Sequence, residues 1–261
     1  MSFYKPDKLP KLMVAPNGAR RIKKDHPAVP LTINETVETA KACFKEGAEA
    51  IHLHVRDENG QHVLDAGLYK EALNELENQV PKMHIQVTTE AVGKYSPADM
   101  RKLAYDVVPP GTSIGTAELI PSRVPEDEDV KLYKYLTEAG TKIQHILYKP
   151  EDIDLLLALL NKANIPADNA WCLFVIGHYT GKISYPENIP PFLKKMEENK
   201  TKLDWSICAF GKEEIGCLEK AVSLGGKIRV GLENSLFMPN GELAPDNQSK
   251  VAAVKKLFNL D

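Results

Sequence analysis

Along the whole chain, short apolar runs alternate with longer stretches whose apolar positions recur at helical spacing. The pairing begins with "KLMVAP" (11–16) and "TINETVETAKACFKEG" (32–47) and recurs with "AIHLHV" (50–55) and "AGLYKEALNELENQV" (66–80). It continues through "HIQVTT" (84–89) and "PADMRKLAYDV" (97–107), then "TSIGTAEL" (112–119) and "EDVKLYKYLTEAG" (128–140). The second half adds "KIQHILY" (142–148) with "PEDIDLLLALLNKA" (150–163), and "WCLFVIG" (171–177) with "PENIPPFLKKMEEN" (186–199). It closes with "DWSICAF" (204–210), "KEEIGCLEKAVSLG" (212–225), "KIRVGL" (227–232) and "NQSKVAAVKKLFN" (247–259). Short apolar runs bounded by turn residues suit buried strands, and a 3.6-residue apolar period suits helices lying on them. Eight strand–helix units in 261 residues predict a parallel sheet closed into a (β/α)8 TIM barrel, one domain over 1–261. The rival is an open, doubly wound sheet. Against it, no G-x-G-x-x-G follows the first strand and no P-loop occurs.

Loop lengths say which end of the barrel works. Segments after strands are long and irregular, such as "NGARRIKKDHPAVP" (17–30) and "NSLFMPNGELAPD" (234–246), whereas those after helices are mostly short. Barrel active sites are built from the loops at the carboxyl ends of the strands.

Composition changes this picture little. A net charge of −3 with 26% charged residues gives no whole-surface case for nucleic acid or an anionic membrane. No apolar stretch approaches the ~20 residues of a membrane span, and "MSFYKPDKLPKL" lacks the apolar core of a secretory signal. Cys43, Cys172, Cys208 and Cys217 are scattered and form no C-x-x-C pair, which suits buried thiols in a reducing compartment. The expected location is the cytoplasm.

The second strand departs from a plain core strand. In "IHLHVRDENG" (51–60), Ile51, Leu53 and Val55 alternate with His52 and His54, so one face is apolar and the other carries two imidazoles. The apolar face belongs under the helices, which turns both rings toward the barrel axis near the top. The eighth strand ends "IRVGLEN", and barrel closure brings Glu233 within two strand spacings of the histidines. Two imidazoles and a carboxylate, with room for water or substrate, form a catalytic zinc pattern, and iron(II) uses the same ligand types.

"IHLHVRDENG", "APNGA" with "HPAVPLT" beyond it, "WSICAFG" and "GGKIRVGLENSLF" together resemble the β-keto acid cleavage enzymes, which include 3-keto-5-aminohexanoate cleavage enzyme. The resemblance runs along nearly the whole chain. It implies a zinc-containing (β/α)8 barrel that condenses a β-keto acid with acetyl-CoA, giving acetoacetate and a new acyl-CoA. It places zinc on His52, His54 and Glu233, catalytic assistance on Arg229, and substrate contacts on Thr88 and Thr112. It also implies a homo-oligomer, dimer or tetramer.

The chain departs from the family pattern at three places. Arg20 stands where the pattern has a glutamate suited to a substrate amine, Asn234 where it has an aspartate, and Glu90–Ala91 where it has two glycines. An amide is no general base, so the role of that aspartate must be replaced or lost at Asn234. Glu90, beside the metal strand, is the candidate replacement, with Ala91 a candidate substrate contact. Arg20 favours an anionic or neutral β-keto acid over a cationic one. Arg21, Lys23 and Lys24 extend a basic run suited to the phosphates of coenzyme A. His178 and Tyr179 fall on the catalytic rim. Two rival readings stand beside this one: a metal-dependent aldolase or hydrolase working without coenzyme A, and a metal-containing barrel that only binds a keto acid.

Overall fold

The computed structural model describes residues 3–178 and 183–260. Eight strands close a parallel barrel in sequence order: β1 (Leu12–Val14), β2 (Ala50–Leu53), β3 (His84–Thr88), β4 (Gly111–Gly115), β5 (Lys142–Leu147), β6 (Trp171–Ile176), β7 (Asp204–Ala209) and β8 (Lys227–Val230). Closure is made by β1 against β8, in the register Met13↔Arg229, with β1 pairing β2 on its other side. The (β/α)8 expectation holds.

Helices α1 (Ile33–Lys45), α2 (Ala66–Gln79) and α3 (Pro97–Val107) start where the sequence supplies caps: Thr32 with Glu35, Asp65, and Ser96 with Asp99. Two expected elements are cut shorter. The run 112–119 leaves the sheet at Gly115, and Thr116–Leu119 forms a helical turn, α4. The alternation of "TSIGTAEL" slips after Ile114, and its last residues are better helix than strand formers. The expected helix over 186–199 opens as a 3-10 turn, Pro186–Asn188, and becomes α-helical only from Pro190, where a proline suits the first turn. The remaining helices are α5 (Asp127–Glu138), α6 (Asp152–Ala163), α7 (Pro190–Glu198), α8 (Glu214–Ser223) and α9 (Asn247–Phe258).

The outward strand residues, among them Ile51, Leu53, Ile85, Val87, Ile114, Phe174 and Ile207, pack under the helices in one continuous core. The inward set is divided. Ile146, Leu173, Val175 and Cys208 form an apolar cluster, while His52, Gln86, Gln144, Ser206 and Arg229 are buried polar residues. Barrel interiors are ordinarily filled by branched apolar side chains, so a buried polar half signals chemistry. Among the described residues no helix is long and apolar enough to cross a membrane. All four cysteines are free and buried.

The long segment after β8 is held from beneath by a buried ion pair. Lys250 Nζ of α9 lies 2.7 Å from Glu214 Oε2 of α8 and donates to the Phe237 carbonyl at 2.6 Å, with both charged side chains almost fully enclosed. Removing one member leaves the other charge buried and unmatched. Lys250→Ala should therefore destabilise the fold by about 3–5 kcal/mol, measured by denaturant unfolding. A loss within 1 kcal/mol would mean that the pair is dispensable.

Candidate metal centre

His52 sits on β2 with its apolar neighbours under the helices, so its ring enters the barrel; His54 follows on the same face just past the strand. Glu233 comes from the turn after β8, which is folded tightly against the first strand. Gly231 there has φ +146°, and a side-chain carbon at that position would lie 2.0 Å from the Ala15 carbonyl oxygen. Glu233 then donates its backbone N–H to that same carbonyl at 3.2 Å. Gly18, at φ +59°, leaves room on the other side, since a methyl group there would lie 2.4 Å from Glu233 Cγ.

The three side chains converge. His54 Nε2 is 3.0 Å from His52 Nε2, and Glu233 Oε2 is 3.8 Å from His52 Nε2 and 3.7 Å from His54 Nε2, all buried. Ligands at zinc–nitrogen distances of ~2.0–2.1 Å in a tetrahedron stand roughly 3.3 Å apart, so these atoms need to shift only by tenths of an ångström. Glu233 Oε1 accepts from Arg229 at 2.9 Å, while its Oε2, buried, has no hydrogen-bond partner among the described residues. Burial holds both imidazoles well below their ordinary pKa, helped by Arg229 at His52 and by the neighbouring rings at His54. Neutral rings are the form that ligates. The donor set, its spacing and the orphaned oxygen all fit a divalent metal.

Above the cluster lies a cavity of about 330 Å³, lined among others by Arg20, Thr88, Glu90, Glu118, Tyr148 and Arg229. Arg229, on β8, also points a guanidinium nitrogen at Cys208 Sγ, 3.4 Å away. Glu90 Oε2 is 3.7 Å from His54 Nε2, and burial, then Glu233 and Glu118, push its carboxyl up to about 8. Thr88 lines the cavity, and its hydroxyl oxygen accepts the Glu90 N–H at 3.1 Å. Ala91 lines it too. Thr112 does not. The register Thr88↔Ser113 gives Ser113 the inward face, so Thr112 points the other way and donates to the Val87 carbonyl at 3.0 Å. Ser113 takes the cavity position expected of Thr112.

A second depression of about 570 Å³ shares Arg20, His178 and Phe210 with the first and adds Arg21, Lys212 and Asn234. Arg20 is exposed on the rim between the two. Asn234 is fully buried, and neither polar atom of its amide has a partner among the described residues. Of the basic run, Lys23 pairs with Glu35 at 2.8 Å, away from both cavities. Tyr179 lies outside the described residues.

Several residues of the site were not singled out from sequence. Glu118, on α4, accepts from the Tyr148 hydroxyl at 2.7 Å and from the Ala91 N–H at 3.3 Å. Tyr148 follows the carboxyl end of β5, a position that itself signals function in a barrel. Arg56 is buried and donates to the carbonyls of Asn17, Gly18, Ala19, Arg21 and Gly60, shaping the loop that carries Arg20.

Residues 11–260 match the model of a family described as beta-keto acid cleavage enzyme. A protein of Acetoanaerobium sticklandii named 3-keto-5-aminohexanoate cleavage enzyme is 25% identical over 244 residues, covering 92% of this chain and 88% of its own. One of Cupriavidus necator named 3-oxoadipate:acetyl-CoA acetyltransferase is 27% identical over 251 residues, covering 94% and 87%. Among solved structures, a binary complex of ObcA with oxaloacetate superposes with a TM-score of 0.72 at 15% identity, over 88% of this chain and 63% of that longer one. At that identity the likeness speaks to the fold.

Proposed function

The chain belongs to the beta-keto acid cleavage enzyme family, and on that premise we propose that it is a zinc-dependent enzyme condensing a β-keto acid with acetyl-CoA. The acetyl group leaves sulfur for the carbon that bears the carboxylate, giving acetoacetate, and the substrate's own acyl group takes its place on sulfur. The convergence of His52, His54 and the orphaned oxygen of Glu233 at the floor of the cavity carries this reading. The acetyl-CoA named for the Cupriavidus relative supports the second substrate.

Zinc bound by His52, His54 and Glu233 would act as a Lewis acid, stabilising the enolate-like charge that grows as the carbon–carbon bond changes hands. The chain's own residues do the rest. Arg229, held against Glu233, offers its guanidinium to the substrate carboxylate or a developing oxyanion. Thr88 and Ser113 line the same wall. Glu90 takes the proton that Asn234, an amide, cannot, because its carboxylate lies beside the cluster, 3.7 Å from His54 Nε2. The outer depression takes the thioester arm, with the buried amide of Asn234, unpartnered among the described residues, hydrogen-bonding it and Arg21 and Lys212 facing its phosphates. Arg20, between the two, selects an anionic or neutral keto acid. The reading extends to a cytoplasmic homo-oligomer, dimer or tetramer.

Incubating the zinc-loaded protein with acetyl-CoA and a panel of cationic, neutral and anionic β-keto acids should release acetoacetate, and stripping the metal with a chelator should stop it. Turnover of a keto acid without acyl-CoA formation would favour an aldolase or hydrolase. Silence across the panel from protein that holds its metal would leave a binder.

A further inference from the structure

The polar half of the barrel interior is a directed chain of hydrogen bonds. His52 Nδ1 lies 2.8 Å from Gln86 Oε1, Gln86 Nε2 donates to Gln144 Oε1 at 2.8 Å, and Gln144 Nε2 donates to Ser206 Oγ at 3.0 Å. Ser206 Oγ ends the chain on the Cys172 carbonyl at 3.2 Å. A backbone carbonyl only accepts, so Ser206 must spend its one proton there. Gln144 must then give its amide hydrogens to Ser206 and its oxygen to Gln86, and Gln86 must turn its oxygen to His52. The reverse polarity leaves the Ser206–Cys172 contact with no proton in it. Only one direction satisfies every link, and it ends with the proton on His52 Nδ1 and a lone pair on Nε2.

His54 is governed by a second, independent chain. His62 Nε2 lies 3.1 Å from the Glu90 carbonyl, again an obligate acceptor, so Nε2 of His62 carries its proton and Nδ1 its lone pair. His54 Nδ1, 3.4 Å from His62 Nδ1, must therefore be the donor, which again frees Nε2. The two freed lone pairs are the ones that face each other at 3.0 Å beside Glu233. Gln86, Gln144, Ser206 and His62 are all buried.

We propose that Gln86, backed by Gln144 and Ser206, and His62 are positioning residues that fix the tautomers of His52 and His54 and so prepare the metal site. The inference rests on the reading of His52, His54 and Glu233 as ligands. It needs no charge on any ring, only the direction of each bond.

The test is zinc affinity, measured by competition with a chromophoric chelator on variants shown by thermal denaturation to be folded. Gln86→Leu keeps the bulk and removes the acceptor, and it should weaken zinc about 10- to 100-fold, the usual cost of losing a group that orients a ligand. Gln86→Glu restores an acceptor for Nδ1–H and should bring affinity back to within about threefold of the parent. His62→Phe and His62→Gln form the matching pair nearer the surface, for use if the barrel interior tolerates no leucine. Parent affinity in the folded leucine or phenylalanine variant would make the chains merely structural. Loss without rescue by the glutamate or glutamine would assign the effect to packing. Either result overturns the proposal. A parent protein that holds no zinc would instead sink the metal site, and the chains with it.

Discussion

Gly18→Ala should strip the metal site from a protein that remains folded: zinc affinity is expected to fall 100-fold or more, and turnover with it. The added methyl group would lie 2.4 Å from Cγ, 3.0 Å from Cδ and 3.1 Å from Cβ of Glu233. Contact with three successive carbons means that no single torsion relieves it, and Glu233 cannot retreat because its backbone is pinned to Ala15 by the turn at Gly231. A loss of 100-fold corresponds to roughly 2.7 kcal/mol, less than the carboxylate ligand is worth to a buried cation. Alanine at φ +59° also costs about 1–2 kcal/mol of backbone strain. Gly241→Ala separates the two effects, since Gly241 has φ +86° and open space where the methyl would go. Zinc per chain after dialysis, read against unfolding midpoints, decides the matter. Stoichiometric zinc in Gly18→Ala would show that Glu233 moves freely or is no ligand.

The same residues show what a sequence exposes and what it hides. His52 and His54 were legible because period-2 alternation forces a face, and Glu233 because closure puts the eighth strand next to the first. Gly18 was not, because nothing in "APNGA" says which side chain its missing methyl makes room for. Thr112 stands one residue from Ser113, the hydroxyl that lines the cavity. In a strand a single step reverses the face, and only the pairing Thr88↔Ser113 tells the two hydroxyls apart. The slip after Ile114 was visible in the alternation, and reading it would have put Glu118 on a helical turn. That Glu118 meets Tyr148, 30 residues on, is a fact of the closed barrel alone. The relay through Gln86, Gln144 and Ser206 is spread over β3, β5 and β7, so no local pattern contains it. Sequence periodicity carries faces and topology; convergence of loops and the direction of hydrogen bonds need coordinates.

Charge reversal at position 20 should reverse substrate preference. The parent is expected to turn over a β-keto dicarboxylate in preference to 3-keto-5-aminohexanoate, and Arg20→Glu should shift the ratio of kcat/KM toward the amine by tenfold or more. The cavity carries two candidate cations, Arg229 and Arg20, and three carboxylates, Glu90, Glu118 and Glu233. In the proposed reading Arg229, held against Glu233, meets the substrate at the metal end, and Glu118 accepts from the Tyr148 hydroxyl and the Ala91 N–H. Arg20 lines both cavities at their shared rim, and the proposed reading sets it at the far end of the substrate. Two unit charges 4 Å apart interact by about 1 kcal/mol in water and about 4 kcal/mol near a protein surface, so changing the sign exceeds the ~1.4 kcal/mol that a tenfold ratio needs. Because Arg20 is exposed, the effect should shrink as salt rises to about 1 M, where screening extends over only ~3 Å. Lys23→Ala is the control: it removes a positive charge from the same loop, but one that pairs with Glu35 outside the cavity, and it should leave the ratio within about twofold. Should both variants move the ratio alike, selection would come from the net charge of the loop; should neither, the substrate's far end lies elsewhere.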